Sequence, residues 1–116
     1  MDYFERKLDA KNRLTVPKEL QQEFASGVVI TRGFGQYLHL YSQAVWNQDM
    51  ESALTGNILD EKTADLNVAF RTGKISAALD KKQGRITLEP HHLKYAKIKS
   101  GITAVRAGKY FRISAS

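Results

Sequence analysis

Apolar and polar positions alternate along much of the chain, and glycine and proline cut the pattern into short elements. Val28 to Thr31 and Tyr37 to Tyr41 are rich in β-branched and aromatic residues and flank Gly33-Phe34-Gly35, which predicts a hairpin. A second hairpin is expected further on, turning through Ala107-Gly108-Lys109. Shorter strands are expected at Arg13 to Val16 and Arg85 to Leu88. Each follows a turn in which Asn12 or Gly84 takes a positive φ cheaply. Pro17 and Pro90 suit the first turn of a short helix, where a missing N–H costs nothing. Those helices are expected to end near Gly27 and Gly101.

The same order of elements occurs twice. Leu8-Asp9-Ala10-Lys11-Asn12-Arg13-Leu14-Thr15-Val16-Pro17 is answered by Leu79-Asp80-Lys81-Lys82-Gln83-Gly84-Arg85-Ile86-Thr87-Leu88 with Pro90 behind it. Gly27 to Arg32 is answered by Gly101 to Arg106, and Tyr37-Leu38-His39-Leu40 by Tyr110-Phe111-Arg112-Ile113. Two copies are too few for a solenoid, so one small unit has been duplicated. Between the copies a helix is expected over roughly 43 to 55, with Val45, Trp46, Met50, Ala53 and Leu54 on one face. Gly56-Asn57 stops it, and Asp60 caps a second helix that ends near Gly73, with Leu66, Ala69 and Phe70 on one side. Neither copy could bury its hairpins alone. The organisation expected is therefore a first unit at 1–42, a helical insert at 43–73 and a second unit at 74–116. The two units would interlock into one compact, barrel-like, mainly β domain of the α+β class with approximate two-fold symmetry.

Composition narrows the chemistry. The 116 residues contain no Cys, which removes disulfide scaffolds, thiolate zinc sites and cysteine nucleophiles. No apolar run reaches bilayer length, and Met1 to Arg6 lacks a signal-peptide core, so a cytoplasmic location is expected. The formal charge of +6 is uneven. Residues 1–42 hold 6 basic and 5 acidic side chains, 43–73 hold 2 and 5, and 74–116 hold 10 and 2. A basic second unit suggests a polyanion partner, and the acidic insert should face away from it.

Enzyme signals are thin. His91 and His92 are neighbours and would point about 100° apart on a helix, unlike the i,i+4 spacing of a metal pair. His39 has no evident acid or nucleophile partner, and Gly33-Phe34-Gly35 lacks the third glycine of a dinucleotide loop. No catalytic residue, metal or cofactor is expected. The repeated Asp-turn-Arg element is sharper. Asp9 and Asp80 are placed to accept turn N–H bonds and to orient Arg13 and Arg85, with Asn12 and Gly84 shaping the turns. Arg6, Lys7, Lys11, Lys81 and Lys82 stand around them. Two such turns would present basic loops to a duplex, where Arg reads guanine and Lys neutralises phosphate. The pairs could equally be ion pairs that only stiffen turns.

Leu8 to Pro17, Thr31-Arg32-Gly33, Leu40-Tyr41, Trp46 and Asp80 to Pro90 followed by Leu93, Tyr95 and Ala96 together resemble the MraZ family. The resemblance runs in order over nearly the whole chain. It implies two tandem swapped-hairpin units of the AbrB/SpoVT type in a bacterial, nucleoid-associated transcriptional regulator. It also implies a ring-like homo-oligomer on double-stranded DNA, bound at short direct repeats upstream of the division and cell-wall gene cluster and at its own promoter. Carried onto this chain, the family's Asp-x-x-x-Arg motif falls on Asp9 and Arg13. The second copy is one residue longer between Asp80 and Arg85. The chain stops at Ser116, where family members commonly continue, so ring contacts made by a further segment are expected to be missing or altered. The first unit is expected to supply most specificity and the second more of the phosphate attraction. An antitoxin of the same fold, binding a partner toxin, is the competing expectation, and an enzyme on a related barrel has no supporting constellation.

Overall fold

A computed structural model describes residues 1–116. It is an α+β fold built on a large antiparallel sheet. The strands are β1 (Tyr3–Lys7), β2 (Arg13–Thr15), β3 (Val28–Arg32), β4 (Leu38–Ser42), β5 (Ile75–Ala77), β6 (Arg85–Thr87), β7 (Gly101–Arg106) and β8 (Phe111–Ala115). Six of them form one sheet in the order β1-β7-β8-β4-β3-β5, and β2 and β6 form a separate two-stranded ribbon. The helices are α1 (Lys18–Gln21), α2 (Gln43–Val45), α3 (Glu51–Leu54), α4 (Glu61–Arg71) and α5 (Pro90–Tyr95). Both hairpins form where the alternation places them, with Val28 opposite Ser42 and Arg106 opposite Phe111.

Side-chain period decides what each strand buries. Val28 and Ile30, with Leu38 and Leu40, point into a core shared with Ile102, Ala104, Phe111 and Ile113. Leu14, Val16, Ile86 and Leu88, fully or almost fully buried, close that core from the ribbon side. The other face of β3 and β4 is also covered. Val29 and Tyr41 pack against Trp46, Leu54 and Phe70 from the insert. That double covering explains why β3 and β4 are buried along nearly their whole length, whereas β7 and β8 alternate.

The insert departs from the expected continuous helix. A π-helical stretch, Trp46–Met50, separates α2 from α3. The Glu51 N–H donates to the Trp46 carbonyl across the wider turn, which brings Glu51 beside the indole. Trp46 Nε1 donates to Glu51 Oε1 at 2.9 Å, and Arg71 donates to both carboxylate oxygens at 3.0 and 2.8 Å. The extra residue in the turn leaves Ala53 exposed while Trp46 and Leu54 reach the sheet. Asp60 caps α4 as expected, accepting from the Lys62 N–H at 3.1 Å. Leu66 and Ala69, expected on one side of this helix with Phe70, are exposed while Phe70 is buried, because α4 meets the sheet mainly through Phe70 near its C-terminus. Phe70 packs edge-on against Phe34 of the β3–β4 turn, with ring centroids 5.1 Å apart.

Candidate nucleic-acid interface

Both Asp–Arg turns are built by the carboxylate. In the first, Asp9 Oδ1 accepts the N–H groups of Lys11 and Arg13, each at 2.9 Å, and Oδ2 accepts Arg13 Nε at 2.7 Å. The Asn12 N–H closes the turn on the Asp9 carbonyl at 3.0 Å, with Asn12 at φ 58°. In the second, Asp80 Oδ1 accepts the N–H groups of Lys82 at 2.7 Å and Gln83 at 3.3 Å. The Gly84 N–H closes it on the Asp80 carbonyl at 2.7 Å, with Gly84 at φ 66°. The longer spacing is absorbed here: an i→i+4 closure replaces an i→i+3 one. The ion pair survives at 2.7 Å, but it uses Arg85 Nη2 where Arg13 used Nε.

Hydrogen bonding holds both carboxylates in their ionised forms. The Arg13 backbone N–H is the largest influence lowering the Asp9 carboxyl below the usual range. The Arg85 guanidinium beside Asp80 lowers it to about 2, helped by the Lys82 and Gln83 N–H groups.

The ribbon then brings the two turns together. Arg13 lies opposite Thr87 and Thr15 opposite Arg85. The Val16 N–H donates to the Gly84 carbonyl and the Leu88 N–H to the Asn12 carbonyl, both at 2.9 Å, so each turn is tied to the far end of the other's strand. Leu14 and Ile86 face the core, so the opposite pleat face carries Arg13, Thr15, Arg85 and Thr87. On such a ribbon the diagonal pair Arg13 and Arg85 sits about 7–8 Å apart at the backbone. Both line one cleft with Asp80, Thr87 and Glu89. Thr15, Thr87 and Glu89 were not singled out from the sequence. The alternation Arg13-Leu14-Thr15 and Arg85-Ile86-Thr87 was the signal that could have found the two threonines.

The other candidates are distributed differently. Lys11, Lys81 and Lys82 are exposed on the turns. Arg6 and Lys7 line a separate cleft with Ser100, Gly101 and Ser116, and Arg6 Nη1 donates to the Glu5 carbonyl at 2.9 Å. His39 is buried with Nδ1 2.8 Å from the Tyr41 hydroxyl, and burial pulls its pKa down to about 4. His92 is buried, with Nε2 2.8 Å from the Gly73 carbonyl.

Comparison with known proteins connects the chain to a family. The family model described as "MraZ protein, putative antitoxin-like" matches residues 1–67. The transcriptional regulator MraZ of Herpetosiphon aurantiacus is 36% identical over 95 residues, 82% of this chain and 66% of that protein. Its counterpart from Roseiflexus castenholzii is 32% identical over 112 residues, covering 95% and 76% respectively. That of an Arthrobacter species is 30% identical over 102 residues, covering 88% and 71%. The aligned part of the chain thus spans about two thirds to three quarters of these relatives' length.

Proposed function

The chain belongs to the MraZ family, and on that premise we propose that it is a transcriptional regulator that binds double-stranded DNA through its two Asp–Arg turns and the ribbon between them. The observation that carries this reading is the convergence of Arg13 and Arg85 on one exposed ribbon face, each oriented by its own carboxylate. A two-stranded ribbon fits the major groove, where Arg reads guanine O6 and N7 with two parallel N–H bonds. Arg13 pairs with Asp9 through Nε and keeps both terminal nitrogens for such a contact. Arg85 spends Nη2 on Asp80, which suits it better to a single phosphate or base contact. Lys11, Lys81 and Lys82 would neutralise flanking phosphates.

Strand pairing supports two interlocked units at 1–42 and 74–116 within one domain. β1 pairs with β7, and β5 pairs with β3, so each half lends a strand to the other half's hairpin. The finer reading follows the family: a homo-oligomeric ring bound at short direct repeats upstream of the division and cell-wall gene cluster, in the cytoplasm and on the nucleoid. No helix is long and apolar enough to cross a membrane. The antitoxin reading draws on the wording of the family description, and stoichiometric co-purification of a partner protein would favour it. Titration of DNA bearing short direct repeats against scrambled DNA, at two salt concentrations, tests the proposal. Tight binding to the repeats is expected; equal affinity for both would sink it.

A further inference from the structure

Another basic cleft opens where three parts of the chain meet: the end of β3, the Thr72–Gly73 corner behind α4, and α5. Arg32, His91, Lys94 and Tyr95 line it. Arg32 takes part in none of the ion pairs of the molecule. Its guanidinium lies over the Tyr95 ring, 5.3 Å from the centroid, and its Nε is buried without a hydrogen-bond partner. Nδ1 of His91 is buried and unpartnered as well. The Tyr95 hydroxyl is shared between the carbonyls of Gly33 at 2.5 Å and Gly35 at 2.8 Å, which fixes the ring under the guanidinium. Gly73 packs against both side chains: a Cβ there would meet His91 Cε1 at 2.9 Å and Arg32 Nε at 3.5 Å.

No carboxylate lines this cleft. Glu89, the acidic residue nearest along the chain, lines the cleft of Arg13 and Arg85 instead. The cleft therefore gathers an unpaired guanidinium, an unpaired ammonium and an imidazole, with no internal counter-charge. Oxyanions with several acceptor oxygens match that donor set.

We propose that Arg32, His91 and Lys94 form a phosphate-binding site, distinct from the Asp–Arg turns. Arg32 and Lys94 neutralise the phosphate and His91 donates an N–H to it. The phosphate comes either from the backbone of bound DNA or from a free phosphate monoester. The DNA source rests on the function proposed above, and the free source does not. Because α5 follows directly on β6 through Leu88 and Glu89, occupancy would bear on the segment that carries Arg85.

The test uses the full chain in two arms. In the first, inorganic phosphate and then a nucleoside monophosphate are titrated at ionic strength held constant with chloride, with the His91 ring resonances followed by NMR. A saturable shift is expected, weakened at least tenfold in Arg32→Gln and in Lys94→Ala. Lys94 is exposed and outside every ion pair, so its variant keeps the test independent of folding. In the second arm, the salt dependence of DNA binding is compared between wild type and Lys94→Ala. A slope smaller by about one in the variant, on any DNA sequence, identifies the backbone as the source. An unchanged slope with a saturable phosphate shift identifies the free ligand. No saturable shift together with an unchanged slope overturns the site. Failure of the wild type to bind DNA would count against the proposed function alone, leaving the phosphate titration to decide the site.

Discussion

At Gly84 the backbone is left-handed, and an added Cβ would sit 2.4 Å from the Gln21 amide nitrogen, whereas Asn12 holds the other turn at nearly the same φ. Gln21 can swing away only by giving up its 3.0 Å bond to the Val16 carbonyl. Gly84→Ala should therefore cost about 1–2 kcal/mol in urea denaturation, while Asn12→Gly should be neutral or stabilising by up to about 1 kcal/mol. Arg13→Ala should lower affinity for repeat DNA by about 1–3 kcal/mol with an unchanged melting temperature, because the half-exposed pair contributes little to stability. An unaffected DNA titration would return the turn to a purely structural role. Acid should act in two windows. His39 is held at about 4 by burial and by Arg112, and burial also lowers His92. The unfolded chain therefore binds more protons below the ordinary histidine range near 6.5, and stability should fall as pH drops from there to about 4. Asp80 at about 2 and the lowered Asp9 add stability above the unfolded carboxylate range near 4 that is lost on further acidification. Urea midpoints at several pH values check both, and His39→Phe should reduce the slope only in the upper window. The turn residues and Asp–Arg pairs were legible in the sequence because their partners lie within five positions. Arg32 was not, since the ring beneath it comes from Tyr95.

Among the elements, the insert shows most clearly where periodicity stops being a guide. A regular 3.6-residue pattern placed Ala53 with Trp46 and Leu54, but the π turn rotates the faces and sets Glu51 beside the indole. Glu51 then bridges Trp46 and Arg71, joining the first insert segment to α4. Its pKa falls to about 2, first through Arg71 and then through the Trp46 N–H. Glu51→Ala should shift the emission of the single tryptophan to the red and cost about 1 kcal/mol, read in the same unfolding curve. An unmoved emission maximum would mean that the bridge does not hold the insert on the sheet. Asp60 at the start of α4 was legible because capping is local; the exposure of Leu66 and Ala69 was not, since it depends on the angle at which α4 meets the β3–β4 turn.

For the molecule as a whole, the division of charge and the division of geometry fall on different halves. The second half carries most of the excess positive charge, while Arg13 in the first half keeps the freer guanidinium. If that division governs DNA binding, the double change Lys81→Gln with Lys82→Gln should weaken binding to every sequence alike and lower the salt slope by about two. Arg13→Ala should instead erase discrimination between repeat and scrambled DNA; the reverse pattern would overturn the assignment of roles. The sequence by itself determined the repeated order of motifs, the hairpins, the capped helix and the two carboxylate-held turns. All of these follow from backbone torsions and hydrogen bonds between near neighbours. Only the tertiary structure decided that β2 pairs with β6, that β1 and β5 join the opposite hairpins, and that the insert covers the second face of β3 and β4. Those choices depend on which apolar faces meet across the fold, and no local pattern encodes that. Arg13 and Arg85, far apart in the chain, share one cleft because Leu14 and Ile86 bury themselves side by side beneath them.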